Sequence, residues 1–153
     1  MRALLCKEHG LPDTLVVEEI DAPEPGLGEI RITVAAAGVN FPDFLIIQDK
    51  YQFKPELPFS PGGEMAGTIS AIGPGVSGFE VGERVMGSNT FGGFAEEAIV
   101  KADKAIKLPA DADLHEFLVI RDVLAKVSAH PALAVFDLEH GCLPFIAGRR
   151  RPT

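Results

Sequence analysis

Ala37-Gly38-Val39-Asn40-Phe41-Pro42-Asp43, followed by Leu57-Pro58-Phe59-Ser60-Pro61-Gly62-Gly63-Glu64, is the most informative part of the chain. Just upstream, Glu29-Ile30-Arg31-Ile32-Thr33-Val34 alternates polar with apolar, as a strand buried on one face does. Asn40 suits an N-cap and Pro42 a first helical turn, so a short helix is expected over 41–48. Phe41, Phe44, Leu45 and Ile47 are its candidates for burial. Pro58, Pro61, Gly62 and Gly63 are residues that shape a cleft wall and carry no reactive group.

Outward from this stretch, short apolar runs separated by turn residues predict strands over 2–8, 15–20, 29–38, 64–72, 83–87, 94–100 and 105–107. Pro23-Glu24-Pro25-Gly26 breaks any helix and makes a loop before the third of them. Many short strands at close spacing indicate a mainly β domain of barrel type. A boundary falls near residue 113. Before it, 9 Lys+Arg face 18 Asp+Glu; after it, 5 face 4, and 14 of the 16 glycines have gone by. Phe117, Ile120, Leu124 and Val127 form one stripe of an expected helix over 114–129, with Asp113 as its cap and His130-Pro131 as its end. The chain therefore reads as a β domain over 1–113 and a helical tail over 114–153, with 132–153 unassigned.

Composition narrows the function classes. A chain of 153 residues allows one domain with a sizeable core, and 46% hydrophobic residues suit a folded protein. A net charge of -8 argues against nucleic acid or an anionic membrane as partner, but does not exclude a small anionic cofactor, because backbone N–H groups and a few local cations can outweigh the global field. Residues 1–20 carry Lys7, Glu8, His9, Asp13, Glu18 and Glu19, which leaves no apolar leader, and no uncharged run approaches the ~20 residues of a membrane span. Cys6 and Cys142 show no pairing signature. The expected location is cytoplasmic.

The ordered set of segments is more specific than any one of them. After the two opening stretches come Gly67, Gly73-Pro74-Gly75-Val76, Val81-Gly82-Glu83-Arg84-Val85, Gly92-Gly93-Phe94-Ala95-Glu96 and Lys107-Leu108-Pro109. In this order they resemble the zinc-independent quinone oxidoreductases of the medium-chain dehydrogenase/reductase superfamily, over residues 1–113. The resemblance implies a GroES-like, partly open β-barrel with short helices. It also implies NADPH as cofactor, a quinone or enone as small-molecule substrate, and hydride transfer from nicotinamide to a quinone or activated double bond. In the family a Rossmann domain holds the cofactor, and these 153 residues are expected to lack it.

Zinc-dependent relatives carry a cysteine ligand at the position of Asn40 and a histidine at that of Gly63, and their cysteine-rich structural-zinc insert has no counterpart here. A carboxamide is a poor zinc ligand beside a thiolate, so no metal is expected. His130, His140 and Cys142 fit no standard metal spacing. By the same resemblance Asn40, Asp43 and Tyr51, the one tyrosine, lie by nicotinamide or substrate, and Glu64 lies near the active site. Asn40 and Tyr51 are the catalytic candidates, because both offer a hydrogen bond to an oxygen that gains charge. Asn40, Asp43 and Glu64 are the cofactor-binding candidates. Each has a plainer reading: Asn40 as a helix cap, Asp43 as a carboxylate favouring a helix start, Tyr51 as loop cover, Glu64 as a structural hydrogen-bond partner.

Gly73-Pro74-Gly75-Val76-Ser77-Gly78 satisfies G-x-G-x-x-G, but the next residues, Phe79-Glu80-Val81-Gly82-Glu83-Arg84-Val85, have the pattern of turn and strand. A dinucleotide fingerprint opens a helix, so this segment is expected to be a β-turn between strands. Arg149-Arg150-Arg151 is expected to be a solvated tail. Two other functions stay open on the sequence. One is an enoyl or double-bond reductase on the same scaffold. The other is a non-catalytic barrel that binds a partner or pairs with itself as a homodimer.

Overall fold

The computed structural model describes residues 1–114 and the strand backbone at 134–137 and 141–144. The expected helix over 114–129, the histidines at 130 and 140 and the arginines at 149–151 lie outside the described residues, Leu114 aside.

Two sheets make the domain. The smaller pairs β1 (Arg2–Leu5) with β2 (Val16–Glu19) antiparallel. The larger is built on β3 (Glu29–Gly38), which pairs along one edge with β4 (Glu64–Ile72). Its other edge is shared by β6 (Glu97–Lys101), opposite 29–33, and by β8 (Ala134–Asp137), opposite Ala37 and Gly38. Beyond β4 lie β5 (Arg84–Ser88) and then β7 (Ala105–Lys107); β9 (Gly141–Pro144) pairs with β8. The last hairpin falls in the part of the tail that the sequence leaves unassigned within a helical segment. There the tail contributes strands.

The alternation read from 29–34 is what β3 shows. Ile30 and Ile32 are fully buried and Val34 nearly so. They form the main core with Met65 and Ile69 of β4, Val85 of β5, and Ala98 and Val100 of β6. Register shifts at Arg31/Ile32 and Val34/Ala36 let one strand bend and serve two partners along one edge. Close approach has a local cause: a Cβ on Gly67 would lie 2.0 Å from the Thr33 carbonyl oxygen. Only glycine lets β3 and β4 meet there.

An α-helix, α1 (Phe41–Ile46), comes directly after β3. It is two residues shorter than the expected 41–48, because Lys50 N–H returns to the Leu45 carbonyl at 2.9 Å and Asp49 turns left-handed at φ 56. Ile46 and Ile47 are buried with Cys6 and Phe59 in a second cluster, whereas Phe41 and Phe44 stay outside it. Of the expected burial candidates Phe41, Phe44, Leu45 and Ile47, Ile47 is buried and the two phenylalanines are not. Their rings instead stack on each other 6.5 Å apart, Phe41 at 70% exposure. The helix thus docks by its C-terminal end, and its N-terminal end faces a cavity.

The G-x-G-x-x-G segment is a turn. Gly73 N–H bonds to the Glu29 carbonyl at 2.8 Å, Gly75 and Gly78 have positive φ, and the chain passes into β5 with no helix between. Residues 73–78 close the β4–β5 connection against the Gly26–Gly28 loop.

Candidate active site

Asn40 is the hinge between β3 and α1, and its backbone is extended (φ -122, ψ 162) while the next residue is helical. Asn40 and Asp43 stand as a capping box whose short arm is the Asp43 carboxylate: Oδ2 accepts the Asn40 N–H at 2.7 Å. The Asn40 carboxamide makes no cap bond of normal geometry, and its Nδ2 donates to Glu64 Oε2 at 3.2 Å. Glu64, the first residue of β4, sits opposite Gly38 in the ladder, which brings it beside Asn40.

Asp43 reaches further. Its Oδ1 accepts the N–H of Gly62 at 3.1 Å, tying the helix start to the Pro61-Gly62-Gly63 loop. That loop is held in turn by Asn89 N–H to the Gly63 carbonyl at 2.7 Å and by Gly92 N–H to the Ser60 carbonyl at 2.7 Å. Gly62 has φ 96, and a Cβ there would strike Phe94 at 2.5 Å. At 4% exposure Asp43 is the buried charged side chain among the described residues. Burial pushes its carboxyl up to about 6, while amide groups of Asn40, Gly62 and Gly63 pull it down and the charge of Glu64 adds to the rise.

These walls enclose a cavity of about 280 Å³. Asn40, Asp43, Tyr51 and Glu64, the four residues singled out from the sequence, all line it. So do Phe53, on the same loop as Tyr51, and Ser88, Asn89 and Thr90, at the end of β5. The sequence does not single out those four. Ser88-Asn89-Thr90 is a polar triplet at a strand end, and the pairing of Ser88 with Glu64 together with the Gly63–Asn89 backbone bond puts it opposite Asn40. Tyr51 is half-buried over the Ile46–Phe59 cluster, and its ring lies 6.0 Å from that of Phe53 at 48°. The cavity therefore has an aromatic side (Tyr51, Phe53) and a polar side (Asn40, Glu64, Asn89, Thr90). Such a lining grips a flat ring and addresses the oxygens on its rim. Among the described residues no group of three His, Cys, Asp or Glu is placed to hold a metal ion.

Residues 26–110 match the family described as the alcohol dehydrogenase GroES-like domain. The chain belongs to that family. Among its relatives, quinone oxidoreductase-like protein 2 of Bos taurus is 36% identical over 139 residues, which is 91% of this chain and 37% of that protein. The quinone oxidoreductase of Lama guanicoe is 38% identical over 118 residues, 76% of this chain and 36% of that protein. Among solved structures, Escherichia coli quinone oxidoreductase complexed with NADPH superimposes with a TM-score of 0.71 at 30% identity, over 83% of this chain and 41% of that one. The resemblance to quinone oxidoreductases thus holds for the GroES-like domain. The chain spans little more than a third of the curated relatives it matches. The bovine similarity covers 91% of the chain and so extends past residue 113. No described helix is long and apolar enough to cross a membrane.

Proposed function

We propose that this GroES-like domain is the acceptor-binding part of a zinc-independent, NADPH-dependent quinone oxidoreductase. The observation that carries the reading is the convergence of Asn40, Tyr51, Asp43 and Glu64 on one cavity with an aromatic side. When bound, NADPH supplies a hydride to the acceptor. A cavity of about 280 Å³ falls just below the ~300–1,000 Å³ of sites for drug-sized ligands, which gives room for a ring system. The residues present fit the nicotinamide end of the cofactor: Asn40 offers a donor and an acceptor to a carboxamide. They do not fit its phosphates, because Asp43 and Glu64 make this corner acidic.

In this reading Asn40 and Tyr51 orient the acceptor and donate to the oxygen that gains charge during reduction. Phe53 and Tyr51 hold the ring plane. Zinc has no part, since Asn40 and Gly63 stand where relatives carry ligands. The domain limit at 113 and the separate tail belong to this proposal too.

The test joins residues 1–113 to the cofactor-binding remainder of a relative and measures NADPH oxidation with a quinone panel and an enoyl thioester panel. Turnover with quinones supports the proposal. Turnover with thioesters alone would replace it with a double-bond reductase, and NADPH binding without turnover of either class would leave a non-catalytic module.

A further inference from the structure

We propose that Asp43 is a positioning residue: a two-handed clamp that fixes the distance between the Asn40 wall and the Gly62-Gly63 wall of the cavity. The geometry is specific. One carboxylate spends one oxygen on each wall, Oδ2 on Asn40 N–H at 2.7 Å and Oδ1 on Gly62 N–H at 3.1 Å. The two amides belong to segments 22 residues apart; the β3–β4 ladder joins those segments next door, at Gly38 and Glu64, and Asp43 extends that link into the cavity wall. The sequence resemblance puts Asp43 beside the cofactor, but at 4% exposure nearly all of its surface is spent inside the protein. It reaches a ligand through Asn40: moving the Asn40 backbone moves the carboxamide that donates to Glu64. The clamp rests on the functional reading above only for its purpose; its existence is tested without cofactor or quinone.

A clamp made of a carboxylate has a built-in release. The ionised group accepts from two N–H donors at once, whereas protonation turns one oxygen into a donor facing a donor. The titratable groups around it are few. Glu64 of β4 adds negative charge and favours the protonated form. Tyr51 lies across the cavity, and the Ser88-Asn89-Thr90 segment brings no charge. The value of about 6 places the release within reach of ordinary solution conditions.

The experiment is an amide nitrogen–proton NMR titration of this chain between pH 4.5 and 8, with Glu64→Gln and Asp43→Asn variants. The Asn40 and Gly62 amides are expected to shift together with one midpoint near pH 6. In Glu64→Gln that midpoint should fall while the shared transition survives, and in Asp43→Asn the transition should vanish. Separate midpoints for the two amides, or loss of the transition in Glu64→Gln, would each overturn the clamp. The wild-type and Glu64→Gln titrations decide the matter even where Asp43→Asn does not fold. Failure of the quinone assays leaves this result untouched, so the two readings fail separately.

Discussion

The Asp43 carboxyl has an ordinary value of 3.8 and a folded value of about 6, and that difference has a sign. A raised value means the folded state holds the proton more tightly than the unfolded chain. The resulting stabilisation is fully present below pH 4 and is lost as pH rises through 6. At ~1.4 kcal/mol per unit, a rise of about two units amounts to about 3 kcal/mol. Asp49, Glu83 and Glu96 are lowered by hydrogen bonds from Lys54, Lys107 and Arg2, so their contribution runs the other way and is lost only as pH falls. Urea unfolding at pH 4.5 and 7.5 should therefore show an Asp43 contribution that shrinks with rising pH, and the wild-type minus Asp43→Asn difference isolates it. A difference independent of pH would remove the buried-charge explanation. Gly67 gives a second prediction at this scale. Gly67→Ala pushes a methyl to 2.0 Å from the Thr33 oxygen, so β3 and β4 must part. A loss of about 1–3 kcal/mol or more is expected in urea unfolding, as for overpacked cores.

At the scale of elements, strands whose pattern is local are readable from sequence. β3, β4 and β7 run over the expected residues, because alternation or a continuous apolar run marks them and turns bound them. The misjudged ends have a shared cause. The strand expected over 2–8 stops at Leu5, since Cys6 leaves β2 and makes an isolated bridge to Phe59. The one expected over 94–100 starts at Glu97, because Phe94 and Glu96 hydrogen-bond to β1 through Leu4 and Arg2. In both places the chain crosses between sheets, and periodicity does not register a change of partner. Helix α1 shows the same limit: of the expected burial candidates Ile47 docks, but Phe41 and Phe44 stay exposed and Ile46, which is not among them, takes their place. Ile46, 2% exposed, is the anchor. Ile46→Ala should cost about 2–5 kcal/mol and loosen the cavity wall, whereas Phe41→Ala should leave the melting temperature nearly unchanged. Equal losses for both would mean the helix docks by its other face.

The whole molecule adds what neither residues nor elements show. Family resemblance picks out Asn40, Asp43, Tyr51 and Glu64, and the fold brings all four to one cavity. Ser88-Asn89-Thr90 escape such a reading because their place depends on how the 88–93 segment folds against the 60–63 loop, and Phe53 because it enters the cavity beside Tyr51 from a loop without periodicity. The proposed acceptor-binding role uses this cavity and asks nothing of the acidic surface of residues 1–113. The central claim is that the Asn40 carboxamide contacts the reacting partners and does more than start a helix. Its most direct test is the turnover of Asn40→Ala with NADPH and a quinone, in residues 1–113 joined to a relative's cofactor-binding remainder, alongside the melting temperature. A fall of about a hundredfold in kcat, as for loss of one oxyanion donor, with the melting temperature held, is the expected result. Unchanged turnover would contradict it and reduce Asn40 to a helix cap.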